Sequence, residues 1–304
     1  EKRKELIVSD RKLHVLRIAQ RLFTEKGFAT TSVQDIIEEA NISKGTFYNY
    51  FRSKNECLVA ILEHAYEEAI ILRRELLIGE NPQDANILAR QITIRLVLNR
   101  EQNLLPLYDA IYYSGDDDLR LFIQQHHRKE LTWLAHRLID IYGDDVRPYV
   151  ADLVIVFSGI LQHYLHFMNV RTLQPIDTEA LVQFALLATK GVFQEMQTTE
   201  KTFIGPTIFD QFHQNEPSLE ALRTQLMEQL RSFQTEELST QSAAYITFLE
   251  EELQRRKPRL VVVGTIVRSL RESLVHTKLE SAIDTFSADC WSFIDRFPHE
   301  FSNE

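Results

Sequence analysis

The ten residues Ile42–Phe51, reading ISKGTFYNYF, set Lys44, Gly45, Thr46, Tyr48 and Asn49 among two phenylalanines and a second tyrosine. Wound as a helix at about 100° per residue, the segment puts Phe47 and Phe51 on one side with Tyr50 near them. Gly45 and Asn49 fall on the opposite side, flanked by Thr46 and Tyr48. That outer face is small, polar and able to donate and accept hydrogen bonds. Its chemistry suits the edges of bases: Asn49 for adenine, Lys44 for guanine and the Thr46 methyl for thymine. Tyr48 and Ser43, with the nearby Thr31, Ser32 and Lys54, suit phosphate oxygens, which position a protein without reading sequence. Gln34 joins these candidates. A helical glycine costs about 1 kcal/mol relative to alanine, so Gly45 is read as permitting close approach to another surface.

Three elements must hold this face. Residues 11–26 carry Leu13, Leu16, Ala19, Leu22 and Phe23 at helical spacing, and Gly27 stops the helix. Thr31 and Gln34 have capping-box spacing, which makes Thr31 the expected N-cap of a second helix with Ile36, Ile37 and Ala40 inward. Asn41 tolerates the left-handed turn that follows. Ser43 caps the third helix, and Ser53 with Glu56 forms the box that opens a fourth. Two helices, a tight turn and a short helix with a polar outer face make a helix-turn-helix.

Charge agrees with this placement. The net charge of −10 argues against indiscriminate nucleic-acid binding. Yet residues 1–56 hold 11 Lys/Arg against 8 Asp/Glu, whereas residues 57–200 hold 12 against 20 and residues 201–304 hold 11 against 16. A basic head on an acidic body brings phosphate to one end only.

The run LFTEKGFATTSVQDIIEEANISKGTFYNYFRSKNECL resembles the DNA-binding domain of tetracycline-repressor-type (TetR family) transcription regulators over roughly Ile18 to Leu58, and SKGTFYNYFRSK is its most specific part. The Ala40–Asn41 pair departs from the family's usual Ala-Gly. The resemblance implies that Lys44, Thr46, Tyr48 and Asn49 contact an operator while Thr31, Ser32 and Lys54 hold the DNA backbone. It also implies an all-α protein with a helical effector-binding and dimerisation body. The expected division is residues 1–56 for the head, 57–200 for the body and 201–304 for an additional C-terminal helical bundle.

Helical patterns run over 54–78, 83–100, 104–114, 117–142, 147–170 and 177–198, then over 218–234, 238–256, 259–275 and 278–297. LVVVG at 260–264 could open a strand, but its continuation TIVRSLRESL favours a helix. In the body, Tyr108, Tyr112, Phe122, His126, Trp133, Phe157 and His163 are candidate ligand-pocket residues, aromatic walls with a few polar groups. Leu153, Phe157, Ile160, Leu181, Phe184, Ala188 and Gly191 are candidate homodimer residues, because small residues let helix axes approach closely.

Two distant cysteines, Cys57 and Cys290, make neither a disulfide framework nor a metal cluster and point to a reducing, cytoplasmic setting. No signal peptide is visible; the first residue is Glu1 rather than Met, which suggests a few residues missing from the front. The most apolar stretch, VADLVIVFSGILQHYLHFM, is interrupted by Asp152, Gln162 and His163 and reads as a buried helix, not a membrane span. No phosphate loop, nucleophile motif or Cys/His metal spacing occurs, so neither enzymatic activity, nor a cofactor, nor a metal is expected. The expected partners are a double-stranded DNA operator, a small-molecule effector and a second copy of the chain.

Overall fold

The computed structural model describes residues 2–113, 115–171, 177–205, 218–234, 236, 238–274 and 277–301. Its helices are α1 (Lys2–Glu25), α2 (Val33–Glu39), α3 (Lys44–Tyr50), α4 (Lys54–Leu77), α5 (Ala85–Glu101), α6 (Leu105–Tyr113), α7 (Asp117–Tyr142), α8 (Val150–Arg171), α9 (Thr178–Thr199), α10 (Leu219–Phe233), α11 (Thr240–Leu253), α12 (Leu260–Leu274) and α13 (Glu280–Phe301). Among the described residues there is no strand, and LVVVG lies in α12. The stripe Val263, Val267, Leu270, Leu274 is buried at helical spacing, which decides against a strand there.

The chain forms two compact units. One comprises residues 1–78, 99–119 and 217–304; the other comprises 79–98 and 120–216. These units cut across the three sequence segments expected above, since the C-terminal helices group with the head.

In the first unit, α1, α2 and α3 pack around Leu22, Phe23, Ile36, Phe47 and Phe51, all nearly or fully buried. The Phe23 and Phe28 rings meet edge-on at 5.0 Å. α10 to α13 build a second core in the same unit, from Leu226, Leu230, Leu249, Val267, Phe286 and Phe293, and Ile71 of α4 belongs to it. Gly264 is required here: a Cβ would collide with the Trp291 indole, so α12 and α13 approach as closely as they do only without one. The loop between α11 and α12 closes on Glu252. Its carboxylate accepts hydrogen bonds from the Arg259 guanidinium and backbone N–H, which hold it well below the usual carboxylate range, at about 2.

In the second unit, Leu88, Leu134, Leu138, Leu153, Phe157, Val182 and Ala185 form the core, and α8 packs along α9. Two buried polar groups fasten it. Arg137 donates to the Gln91 side chain at 3.0 Å and to the Pro82 carbonyl at 2.9 Å. Asp152 accepts from the backbone N–H groups of Phe203, Ile204 and Gly205 at 3.0–3.3 Å, which ties the segment after α9 to α8. Buried polar groups need such partners, because leaving one unmade costs about 1–3 kcal/mol.

Candidate nucleic-acid interface

α3 is a seven-residue helix, too short to stand alone, and its neighbours hold it. Phe47 is fully buried, its ring tilted against the Phe51 ring with centroids 5.5 Å apart, and the Lys12 ammonium covers Phe51 at 5.4 Å. Ser43 is the N-cap, its hydroxyl accepting from the Thr46 N–H at 3.0 Å. The preceding turn passes through Asn41 at φ 50, the left-handed conformation expected of it. With the inner side so anchored, Lys44, Gly45, Tyr48 and Asn49 are exposed and Thr46 is half-buried.

Gly45 has no internal reason to be glycine. A Cβ built on it would meet nothing nearer than the Ser43 hydroxyl at 3.8 Å, an ordinary contact. The glycine keeps the outer face of α3 flat.

Corrections fall on the residues beside α3. The N-cap of α2 is Ser32, not Thr31: the Ser32 hydroxyl accepts from Asp35 N–H, and the Asp35 carboxylate accepts from Ser32 N–H at 2.8 Å. Bonds donated by the Ser32 hydroxyl and the Ser32 N–H hold the Asp35 carboxyl below its ordinary range. Two overlapping capping boxes exist in the sequence, and burial chooses between them. Thr31 is 1% exposed and donates to the Gly27 and Leu22 carbonyls, so its hydroxyl fastens the head rather than facing phosphate. Gln34 is exposed and donates to Glu38 at 2.8 Å. Lys54 donates to the Phe28 and Thr31 carbonyls at 2.7 and 2.8 Å and lies over the Phe28 ring; burial lowers its pKa from the usual lysine range. An ammonium has three donors, and two of those of Lys54 are taken by these carbonyls, so Lys54 is a brace of the head. Ser53 caps α4, but Glu56 closes the box on the Arg52 N–H instead of on Ser53.

The candidate pocket residues do not share one place. Tyr108 lies in the first unit and Phe122, His126, Trp133, Phe157 and His163 in the second; the Tyr112 side chain lies outside the described residues. Phe157 is core and His163 is exposed. Phe122 and His126 do meet, rings 4.0 Å apart, with His126 Nδ1 3.0 Å from the Phe122 carbonyl. Burial pushes the His126 imidazole down to about 4.

The candidate interface residues split by helical phase. Leu153 and Phe157 point into the core, Ile160, Leu181 and Ala188 are half-buried, and Phe184 and Gly191 lie outside. The outer face of α8 and α9 instead carries Ile155, Gly159, Tyr164, Phe184, Leu187 and Gly191, with the Tyr164 and Phe184 rings 5.4 Å apart. Sequence reasoning missed Ile155, Tyr164 and Leu187. Their signal was position: they lie one helical face away from the core stripe.

A trihelical head that braces a short, capped helix with a bare hydrogen-bonding face defines a helix-turn-helix DNA-binding protein. Residues 15–61 match the family model described as bacterial regulatory proteins, tetR family. Over those residues the chain carries the DNA-binding head of that family of transcriptional regulators. It is 26% identical over 277 residues to the HTH-type transcriptional regulator YuxN of Bacillus subtilis, covering 85% of this chain and 91% of that one. YerO of the same organism is 25% identical, covering 86% and 90%. A match of that extent passes residue 200 and takes in part of the C-terminal helices. The regulator EthR of Mycobacterium tuberculosis is 36% identical over 77 residues, 25% of this chain and 35% of that protein. A solved transcriptional regulator (TerR/AcrR family) from Aquifex aeolicus VF5 is similar at a TM-score of 0.45 and 21% identity, covering 60% of this chain and 99% of that one.

Proposed function

We propose that this DNA-binding regulator is a repressor that holds a palindromic operator as a homodimer and leaves it when a small molecule binds the helical body. The observation that carries the reading is the outer face of α3: Lys44, Gly45, Tyr48 and Asn49 exposed on a helix anchored by Phe47 and Phe51. The uncovered apolar face of α8 and α9 supports the dimer. Isolated surface apolars need no explanation, but contiguous ones mark interaction sites. Val150–Met168 of α8 is long and apolar enough by composition to cross a membrane; a four-helix interface between two copies accounts for that composition without one. On this reading the protein acts in the cytoplasm, without catalysis, and its two recognition helices lie about 34 Å apart, one turn of the duplex. The effector acts by preferring the state with another spacing.

A second reading, control by a protein partner rather than a small molecule, is favoured by one observation: the candidate pocket residues are scattered between core, surface and two units. Selection of duplexes from a random library, followed by fluorescence-anisotropy titration and sedimentation of the free protein, tests the main reading. A selected palindrome bound by two chains is the expected result, and binding without sequence preference would overturn it. Native mass spectrometry of the purified protein separates the two forms of control: a retained small molecule supports the sensor.

A further inference from the structure

The chain that leaves α9 turns back over the start of α8. Glu200 ends α9 in the left-handed conformation, at φ 53. Asp152, in the first turn of α8, then takes three consecutive backbone N–H groups on its carboxylate. Phe203 donates to Oδ1 at 3.2 Å, Ile204 to Oδ1 at 3.0 Å and to Oδ2 at 3.2 Å, and Gly205 to Oδ2 at 3.3 Å. Asp152 is only 7% exposed. Hydrogen bonds to a charged acceptor are roughly twice as strong as neutral ones, so the carboxylate is a firm clasp.

The clasp holds up a bare ring. Phe203 is 96% exposed, more than Leu187 or Val261. A single apolar side chain at a surface is ordinary. This one differs because its backbone is fixed. Ordering a residue costs about 1–2 kcal/mol; Ile204 is half-buried and offsets part of that, whereas Phe203 gains nothing by burial. A rigid aromatic is the kind of group that anchors a protein interface, because little entropy is left to lose when it binds.

The same clasp decides where the ring stands. Ile155 is three residues beyond Asp152 on α8, and residues so spaced are neighbours on a helix. Phe203 is thereby held within a turn of the apolar outer face that carries Ile155, Tyr164, Phe184 and Leu187, and it continues that face beyond the end of the two helices. Area points to the same occupant. A stable interface buries about 800 Å² on each partner, and one phenylalanine buries about 150–250 Å². Two-fold symmetry uses the residue twice, once from each copy.

We propose that Phe203 is an anchor that each copy of the chain sets against the other, extending the α8–α9 interface past its four helices, and that Asp152 is the residue that presents it. The inference rests on the homodimer proposed above and adds to it a contact from outside the helices.

Sedimentation equilibrium of the full chain gives the dimer dissociation constant for wild type, Phe203→Ala, Phe203→Trp, Asp152→Asn and the Phe203→Ala/Asp152→Asn double variant, with circular dichroism as the check of fold. Phe203→Ala is expected to raise the constant at least about tenfold and Phe203→Trp to leave it near wild type. Asp152→Asn is expected to raise it too, but to add nothing in the Phe203→Ala background, because a presenting residue acts through the ring. If Asp152→Asn does not fold, the Phe203 pair carries the comparison. Photo-crosslinking from p-benzoylphenylalanine placed at position 203, in an equal mixture of light and heavy isotope-labelled chains, identifies what the ring touches. Mixed-label crosslinks onto the outer face of α8 and α9 are expected. A dimeric wild type with crosslinks only inside one chain, or with Phe203→Ala dissociating as wild type does, would overturn the anchor and leave the dimer standing. A monomeric wild type would overturn the dimer and the anchor with it.

Discussion

Two exposed helical faces among the described residues differ in kind. The face of α3 is polar, with Tyr48 and Asn49 around Gly45; the face of α8 and α9 is apolar, with Leu187 69% exposed beside Phe184. A polar face rests in water at no cost. An apolar one forgoes roughly 25 cal/mol for each Å² it fails to bury. Glycine separates the same two faces from the interior. Nothing in the chain comes near a Cβ built on Gly159 or Gly191, and only an ordinary contact meets one on Gly45, whereas Gly264 is filled by Trp291. Of these four helical glycines, only Gly264 is required by the chain's own core.

Removing the anchor of the polar face should have the largest effect. Phe47→Ala empties a fully buried ring site and is expected to cost about 3–5 kcal/mol of head stability in a denaturant titration, with DNA binding lost alongside. On the apolar face, Leu187→Arg should leave the fold intact and split the proposed dimer, a loss of about 2 kcal/mol or more read by sedimentation. A folded, still dimeric variant would move the interface elsewhere.

Within the polar face, Asn49→Ala should cost about 1–3 kcal/mol on the selected duplex and little on a random one. Lys54→Ala should instead lower the melting temperature of the head along with all DNA binding, because its ammonium braces Phe28 and Thr31. Gly45→Ala sharpens the contrast. It should stabilise α3 by up to about 1 kcal/mol and still weaken DNA binding, a combination that a purely internal role cannot produce.

The smallest effect concerns pH. His126 in the folded state takes up its proton only at about 4, below the ordinary 6.5. The unfolded chain therefore binds more protons between those values, and stability falls as pH drops from about 6.5 toward about 4. His126→Gln should flatten that part of a thermal-melt profile measured against pH.

Much of the head was legible beforehand. The inward Phe47 and Phe51, the Ser43 cap and the left-handed Asn41 follow from local rules of spacing and capping, and the structure has each of them. The Thr31 cap failed where two local signals overlapped and only burial could choose. The division of α8 and α9 into inner and outer faces was half legible: periodicity shows that a helix has a face, but apolar residues ran nearly all round these two, so it could not say which apolar residue turned in. For the scattered pocket candidates, aromatic spacing was no guide, since core and lining use the same residues.

The amino-acid sequence alone determined the helices, the Ser43 and Ser53 caps, the Gly27 stop and the chemistry of the face on α3, because each depends on residues within one or two turns of one another. It placed the last hundred residues only as a further bundle. That these helices enclose the far end of α4, through Ile71 and the Arg271 bridge to Glu75 and Asp284, was decided by tertiary structure. Burial and ion pairing between residues nearly two hundred positions apart depend on how helices stack, and no local pattern carries that information.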